Sequence, residues 1–309
     1  MKVVVTGGAG FIGANVCRAL LAAGHEVVAL DDLSTGDAAN LGGTDTELVE
    51  GSILDPGTLD TVLAGAGSVV HLAARPSVPR SIADPMASHR VNATGTMELL
   101  EAIRRNGDAH LVVASSSSVY GSNPAMPKTE DLVPMPMSPY AASKLATESY
   151  ALAHAAAFGL DVLAFRFFNV FGPLQPAGHA YAAVVPAFVE AALAGRPLPV
   201  QGDGHQTRDF TYVGTVAAVI TQAVERRVRS DRPVNLAFGS RVSLRELAEL
   251  LGTILGRELS MEFGEARVGD VRDTQADQSR LRSLFPEIEP VDLEAGLRAT
   301  IDWFRTLSA

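Results

Sequence analysis

The chain is short of cysteine, of aromatic residues and of basic charge, and each shortage narrows what it can be. One cysteine, Cys17, among 309 residues excludes an intramolecular disulfide and a cysteine-based zinc site. No metal is expected, and Cys17, on the apolar face of a helix, reads as core filling. The formal net charge of −10 argues against a nucleic acid or an acidic membrane as partner, because both are held through a basic excess. No uninterrupted apolar run reaches the ~20 residues that span a bilayer. The N-terminus enters a strand without a basic region and a long apolar segment before it. The expectation is a soluble, cytoplasmic protein. No internal repeat or low-complexity segment is present, and the length suits one large or two modest domains.

Glycine, by contrast, is placed with a purpose. Val3-Val4-Val5 reads as a strand buried on both faces, and Phe11 opens an apolar pattern of helical period that ends near Gly24. Between them Gly7, Gly10 and Gly13 stand in G-x-x-G-x-x-G spacing. Such glycines serve plain strand-to-helix turns, and they also let backbone N–H groups and a helix N-terminus approach a pyrophosphate. A second strand, Glu26 to Leu30, stops at Asp31-Asp32. Asp31 lies where a carboxylate holds a ribose diol and repels a 2′-phosphate, which favours NAD over NADP.

Strands near Leu48 to Glu50, Ser68 to Leu72, His110 to Ser115 and Asp161 to Phe165 alternate with helices near Pro56 to Leu63, Pro85 to Arg105 and Pro139 to Ala157. This alternation predicts an α/β fold, a Rossmann-like parallel sheet flanked by helices, with ligands outside the carboxyl ends of the strands. His71 to Ala74, Ser115 to Gly121 and Phe167-Phe168-Asn169 all fall at such ends. Beyond Gly172-Pro173 the loops lengthen: a helix near Tyr181 to Ala194, a strand Pro199 to Gln201 and the turn Gly202-Asp203-Gly204 open a smaller C-terminal α/β lobe for substrate. Residues 1–170 are assigned to the dinucleotide-binding domain and 171–309 mainly to the lobe, with 211–237 returning to the first. Leu244 to Leu255 and Leu293 to Leu307 read as amphipathic, structural helices.

Tyr140 and Lys144, four apart in a helix, share one face. A phenol titrates near pKa ~10 and is a poor base at neutral pH, but a neighbouring ammonium favours its ionised form. Tyr140 would then take a proton from a substrate hydroxyl. A surface tyrosine beside a solvated lysine is the plain alternative. The run Ser115-Ser116-Ser117-Ser118 at a strand end supplies a hydroxyl for the same oxygen, although serines also populate turns.

Together, Thr6 to Gly13, Asp31, His71 to Ala74, Asn92 with Gly95-Thr96, Ser115 to Gly121, Tyr140 to Lys144 and Arg166 to Asn169 resemble the extended short-chain dehydrogenase/reductases. Within them the chain looks most like the NAD-dependent nucleotide-sugar epimerases of the UDP-glucose 4-epimerase type. The resemblance covers nearly the whole chain, with the motifs in order. It implies Ser116, Tyr140 and Lys144 as the catalytic group, Lys144 also holding the nicotinamide ribose. It assigns Gly7, Gly10, Phe11, Ile12, Gly13, Asp31, Ser34, Ser52, Ile53, Leu72, Ala73, Ala74, Tyr140, Lys144 and Phe167 to NAD, with Phe168 packing beside the nicotinamide and Asn92 behind the site. To the substrate it assigns Ser77, Ser116, Ser117, Tyr140, Asn169, Val200, Arg208, Arg267 and Asp270. Arginine suits diphosphate because its planar fork pairs with two oxygens.

The activity so implied is oxidation at C4 of a UDP-hexose and return of the hydride to either face of a 4-keto sugar. UDP-glucose and UDP-galactose are the expected substrates, together with the N-acetylhexosamines, since Thr274 is small at a position that gates the C2 substituent. Arg75 or Arg80 would instead suit a uronic acid. A nucleotide-sugar dehydratase or reductase shares the cofactor site, but Ser117 and Ser118 stand where 4,6-dehydratases carry an Asp-Glu pair. A non-catalytic NAD-sensing regulator would lack the catalytic group. Two departures from the family are Ser52 in place of an adenine-contacting aspartate and Gly214-Thr215 after Tyr212-Val213, where Thr215 is expected to cap the next helix. A homodimer through the helices at Pro85 to Arg105 and Pro139 to Ala157 is also implied.

Overall fold

The structure of the protein, a computed structural model, describes residues 1–107, 109–177, 182–265 and 271–307. In chain order come β1 (Lys2–Thr6), α1 (Phe11–Ala22), β2 (Glu26–Asp31), β3 (Glu47–Glu50), α2 (Pro56–Leu63), β4 (Ser68–His71), α3 (Val78–Ala83), α4 (Pro85–His89), α5 (Gly95–Asn106), β5 (His110–Ser116), α6 (Pro139–Phe158) and β6 (Val162–Phe167). After these follow β7 (Asn169–Phe171), α7 (Val184–Leu193), β8 (Leu198–Gln201), β9 (Thr207–Arg208), β10 (Phe210–Tyr212), α8 (Val213–Glu225) and β11 (Val234–Leu236). The chain closes with β12 (Val242–Ser243), α9 (Leu244–Leu255), β13 (Met261–Gly264), α10 (Ser279–Leu284) and α11 (Leu293–Leu307).

Seven strands form one parallel, Rossmann-like sheet in the order β11-β6-β5-β4-β1-β2-β3. Its strands lack polar alternation because both faces are covered. Val3, Val5, Val112 and Leu163 turn to one face, where they meet Val16 and Leu20 of α1 and Val216 and Ile220 of α8. Val4, Val69, Val113 and Ala164 turn to the other, against Leu59 of α2 and Leu99 and Ile103 of α5. Cys17 sits inside the first layer, wholly buried, and burial pushes its thiol up to about 12. A further core joins α7, β8, α9 and α11 through Phe188, Val200, Leu247, Leu251, Leu297 and Ile301. Among the described residues, no helix is long and apolar enough to cross a membrane, and no three His, Cys, Asp or Glu side chains are grouped to hold a metal ion.

Several elements depart from the reading of the sequence. The helix expected from Pro85 to Arg105 is interrupted, because a π turn over Arg90–Thr94 separates α4 from α5. Wide turns of this kind occur at functional sites, and this one carries buried Asn92. Ahead of it lies α3, which the sequence reading did not identify. The strand expected to stop at Phe165 runs to Phe167. Val184 begins α7, and Tyr181, the expected start, lies outside the described residues. Thr215 does not cap α8: Tyr212 occupies the cap position, and the Thr215 hydroxyl instead accepts the Val291 N–H at 3.0 Å. By contrast α6 starts as its sequence suggests, with Ser138 accepting the Ala141 N–H at 3.1 Å and Pro139 in the first turn, and it ends at left-handed Gly159.

The joint of β1 and α1 depends on missing side chains. A Cβ on Gly13 would lie 2.0 Å from the Gly7 carbonyl oxygen and 2.8 Å from Gly8 Cα. Backbone atoms cannot move aside as a side chain can, so Gly13→Ala is expected to destabilise the fold by ~1–3 kcal/mol. Urea unfolding measures this, and an unchanged midpoint would contradict the close packing of α1 on the turn.

Candidate active site

At the head of the sheet the chain turns through Gly7 with φ +71, and a Cβ there would lie 2.7 Å from Ala73 N. The glycine thus lets the segment after β4 close over the end of β1. Gly10 caps α1 without a side-chain acceptor. The N–H groups of its first turn, at Phe11 and Ile12, therefore have no capping side chain, and they fit a diphosphate drawn to the positive helix end. Asp31 ends β2 and accepts the Ala9 N–H and the Leu33 N–H, each at 2.9 Å, on separate oxygens. Burial raises its pKa while these N–H groups oppose the rise. Each oxygen keeps a lone pair for a ribose hydroxyl. The exposed Ser34 donates its hydroxyl to Asp32 at 2.6 Å. Ser52 accepts the Leu54 N–H at 3.2 Å, and Ile53 is buried beneath Gly95. These residues fit NAD, with the glycine turn at the diphosphate and Asp31 at the adenosine ribose.

A directed chain of hydrogen bonds fixes the end of β4. The Thr6 hydroxyl lies 2.7 Å from His71 Nδ1, and His71 Nε2 lies 3.1 Å from the Thr96 hydroxyl, which itself donates to the Asn92 carbonyl. Since Thr96 has spent its proton, His71 carries a hydrogen on Nε2 and accepts from Thr6 on Nδ1. The ring is neutral: burial, and then the nearby Lys144 charge, push its pKa down to about 3. Thr6 also accepts the Ala73 N–H at 3.3 Å, which places Leu72, Ala73 and Ala74 over β1. Asn92 accepts the Arg75 N–H at 2.7 Å and donates to Ser143 at 2.9 Å, between Tyr140 and Lys144. Ser77 has φ +97, rare for a side-chain-bearing residue, and caps α3. Arg75 pairs with Asp84 at 3.7 Å on the surface.

Ser116, Tyr140 and Lys144 come together at the carboxyl end of β5. Ser116 accepts the Ser118 N–H at 3.1 Å and the Ser118 hydroxyl at 2.9 Å, and Ser117 opens the short helical turn between them. Burial raises the Tyr140 pKa, while a hydrogen bond with Ser116 acts in the opposite direction, toward the phenolate. Lys144 is 5 % exposed and donates to the Ala114 carbonyl at 2.8 Å. Burial pushes its pKa down to about 8. An ammonium has three donors, so Lys144 retains capacity for ribose hydroxyls.

Phe167, expected at NAD, ends β6 opposite Ser116, and Phe168 is also buried. Asn169 is half-buried at the head of β7, paired with Phe210. Arg208, in β9, donates to the carbonyls of Thr207 at 2.9 Å and Arg272 at 3.0 Å. The adjacent Asp209 is wholly buried. It accepts the Ala276 N–H and the Ser240 hydroxyl, and burial pushes its pKa up to about 6. Asp209 N in turn donates to the Thr274 hydroxyl at 3.4 Å, so Arg208 and Thr274 flank one knot. Val200 does not join them: its side chain is wholly buried in the core, and β8 pairs with β13 there. Arg267 and Asp270 lie outside the described residues.

The sequence reading gave no role to Glu148, one turn beyond Lys144. It is buried and takes both Nε and Nη2 of Arg166, at 2.9 and 2.7 Å, together with the Ser115 hydroxyl at 2.8 Å. Its four-residue spacing from Lys144 on an inward helix face was the available signal.

The buried Lys144 has a pH signature. Its pKa falls from 10.5 to about 8 on folding, so between these values the unfolded chain binds more protons and stability rises with pH, by at most ~1.4 kcal/mol per pH unit. Lys144→Met is expected to flatten that rise in urea unfolding of cofactor-free protein across this interval. Equal slopes in the two proteins would remove the buried-ammonium account.

Comparison with known proteins agrees with this geometry. Residues 3–237 match the model of the NAD dependent epimerase/dehydratase family. A UDP-glucose 4-epimerase of Mycolicibacterium smegmatis is 39 % identical over 100 % of both chains. A dTDP-glucose 4,6-dehydratase of Streptomyces griseus is 38 % identical over 97 % of this chain and 93 % of its own. Among solved structures, UDP-N-acetylglucosamine 4-epimerase from Methanobrevibacter ruminantium M1, in complex with UDP-N-acetylmuramic acid, superposes with TM-score 0.93 at 35 % identity, covering 99 % of this chain and 98 % of that one. With the glycine turn, the Asp31 carboxylate and the grouped Ser116, Tyr140 and Lys144 in place, the chain belongs to the NAD-dependent epimerase/dehydratase family and is an enzyme that uses NAD.

Proposed function

We propose that the enzyme interconverts UDP-glucose and UDP-galactose, and likewise UDP-N-acetylglucosamine and UDP-N-acetylgalactosamine, by epimerisation at C4 through a 4-keto sugar. The observation that carries this reading is the meeting of Ser116, Tyr140 and Lys144 at the carboxyl end of β5. When bound, NAD supplies the redox chemistry at the sugar carbon by accepting and returning a hydride. Tyr140, as phenolate, removes the proton of the C4 hydroxyl and later returns it to the oxygen of the epimer. The single Ser116 hydroxyl hydrogen bridges the pair, donated to the phenolate or to that oxygen as the proton moves. Lys144 holds the nicotinamide ribose and favours the ionised phenol by its charge. Asn169 and Arg208 hold the diphosphate, so the sugar turns about a fixed anchor. Gly7, Gly10 and Gly13 admit the NAD diphosphate to the first turn of α1, and Asp31 takes the ribose diol.

The relationship to a 4,6-dehydratase raises a second reaction, loss of water from the sugar. Ser117 and Ser118 directly follow Ser116, and hydroxyls titrate too high to act as the acid–base pair that water loss requires. This favours epimerisation. Thr274 supports acceptance of N-acetyl sugars, being short and turned to the Asp209 backbone.

Product analysis by nuclear magnetic resonance tests the reading with UDP-glucose, UDP-N-acetylglucosamine and UDP-glucuronate, using only the NAD that copurifies. The 4-epimers of the first two are expected. Epimerisation of the glucuronate alone would replace the proposed substrates, and no product from any of them would overturn the assignment. Tyr140→Phe is expected to retain NAD and to lower kcat by ~10² to 10⁴. Thr274→Tyr is expected to abolish turnover of the N-acetyl sugars and to spare the unsubstituted hexoses; equal loss for both classes would refute the gate at this position.

A further inference from the structure

We propose that Glu148 and Ser115 act as positioning residues: together they set where α6 sits against β5 and thereby fix the placement of Tyr140 beside Ser116. The inference rests on the reading of Ser116 and Tyr140 as the pair that handles the substrate proton.

Tyr140, Lys144 and Glu148 follow one another at four-residue intervals on α6, so they form one stripe along the helix. Three consecutive residues of β5 receive that stripe. The Ala114 carbonyl accepts from Lys144 Nζ at 2.8 Å, the Ser115 hydroxyl donates to Glu148 Oε2 at 2.8 Å, and the next residue, Ser116, lies close enough to Tyr140 to favour its phenolate. Ser115 also reaches the Lys144 carbonyl at 3.4 Å. A slip of the helix by a fraction of a turn would break all of these contacts together.

Arg166 extends the grip to the other side of Ser116. It stands opposite Ser115 in the register of β5 and β6, and it closes a two-pronged pair with Glu148. Its guanidinium carbon lies 4.7 Å from the centre of the Tyr120 ring, and Tyr120 closes the turn that Ser116 caps. Ser116 is thus held from before through Ser115 and from after through Tyr120, and both holds lead to the Arg166–Glu148 pair. That pair is wholly desolvated, at 2 % and 4 % exposure. Desolvation cancels most of the attraction in such pairs, so they contribute little net stability over well-packed apolar groups, and the best-supported use of one is to fix a register. This accounts for a charged pair where packing alone would have served.

The test uses the full-length, NAD-loaded protein and the variant Ser115→Ala, which leaves the Arg166–Glu148 pair intact, with Ser115→Thr as the conservative replacement. The first readout is the phenolate absorbance of Tyr140, taken as the difference from Tyr140→Phe during a pH titration. Ser115→Ala is expected to move this ionisation to higher pH, because the Ser116 hydrogen bond that favours the phenolate is weakened. The second readout is turnover, where kcat is expected to fall ~10- to 100-fold at unchanged KM. Ser115→Thr is expected to restore both. Glu148→Asp, which keeps the charge on a shorter arm, is expected to shift both in the same direction and decides the matter if Ser115→Ala fails to fold. A folded Ser115→Ala with wild-type titration and wild-type kcat overturns the proposal. The titration needs no sugar, so a wild-type enzyme that turns over none of the UDP-sugars refutes the epimerase reading while this readout still decides the positioning role.

Discussion

A strand buried on both faces can present polar groups to a ligand only where it ends. The seven-stranded sheet is covered by α1 and α8 on one side and by α2 and α5 on the other, so its interior is closed to chemistry. The polar side chains that the sheet itself gives to the candidate site therefore sit at carboxyl ends: Thr6 on β1, Asp31 on β2, His71 on β4 and Ser116 on β5. Parallel strands bring these ends to one edge. The site is thus a result of the pairing, and what remains is to orient each group within it.

That orientation comes from desolvated polar contacts. The chain from Thr6 through His71 and Thr96 to Asn92 has one direction of donation throughout, which fits an imidazole that burial keeps neutral and fixes the backbone at Ala73. Asn92 then bridges the Arg75 backbone and Ser143, so the segment after β4 and the helix bearing Tyr140 are set by one amide. Burial shifts Lys144 and Asp209 in opposite directions for the same reason, since each loses the water that favours its charged form. A hydrogen bond with Ser116 and bonds from backbone N–H groups oppose, without cancelling, the rise that burial causes at Tyr140 and Asp31.

Much of this was legible in the sequence because it obeys local rules. The valine run, the glycine spacing and the four-residue interval of Tyr140 and Lys144 each encode one short-range geometry, and β1, α1 and α6 form where those signals lie. The π turn at Arg90–Thr94 was hidden because one extra residue in a turn barely disturbs an apolar pattern spread over twenty. Thr215 looked like a cap by residue type, but a cap is defined by backbone position, and its hydroxyl is used three residues into the helix by a distant N–H. Val200 was expected at a ligand, and its side chain is spent in the core of α7, β8, α9 and α11, because a short strand turns alternate side chains inward. Glu148 carried a charge on a helix face, which reads as solvated until its partner Arg166 on another element is known.

The order of strands in the sheet bears on the birth of the molecule. Val3, at the start of the chain, pairs with Val27 on one side and with Ser68 on the other, whereas the far edge is completed only when Val234 pairs with Phe165. During synthesis the glycine turn and Asp31 leave the ribosome well ahead of Arg208 and Thr274. The edge of β6 must therefore wait, unpaired, for β11. Pairings so distant in sequence slow folding, and an open apolar edge in the meantime invites association with other nascent chains.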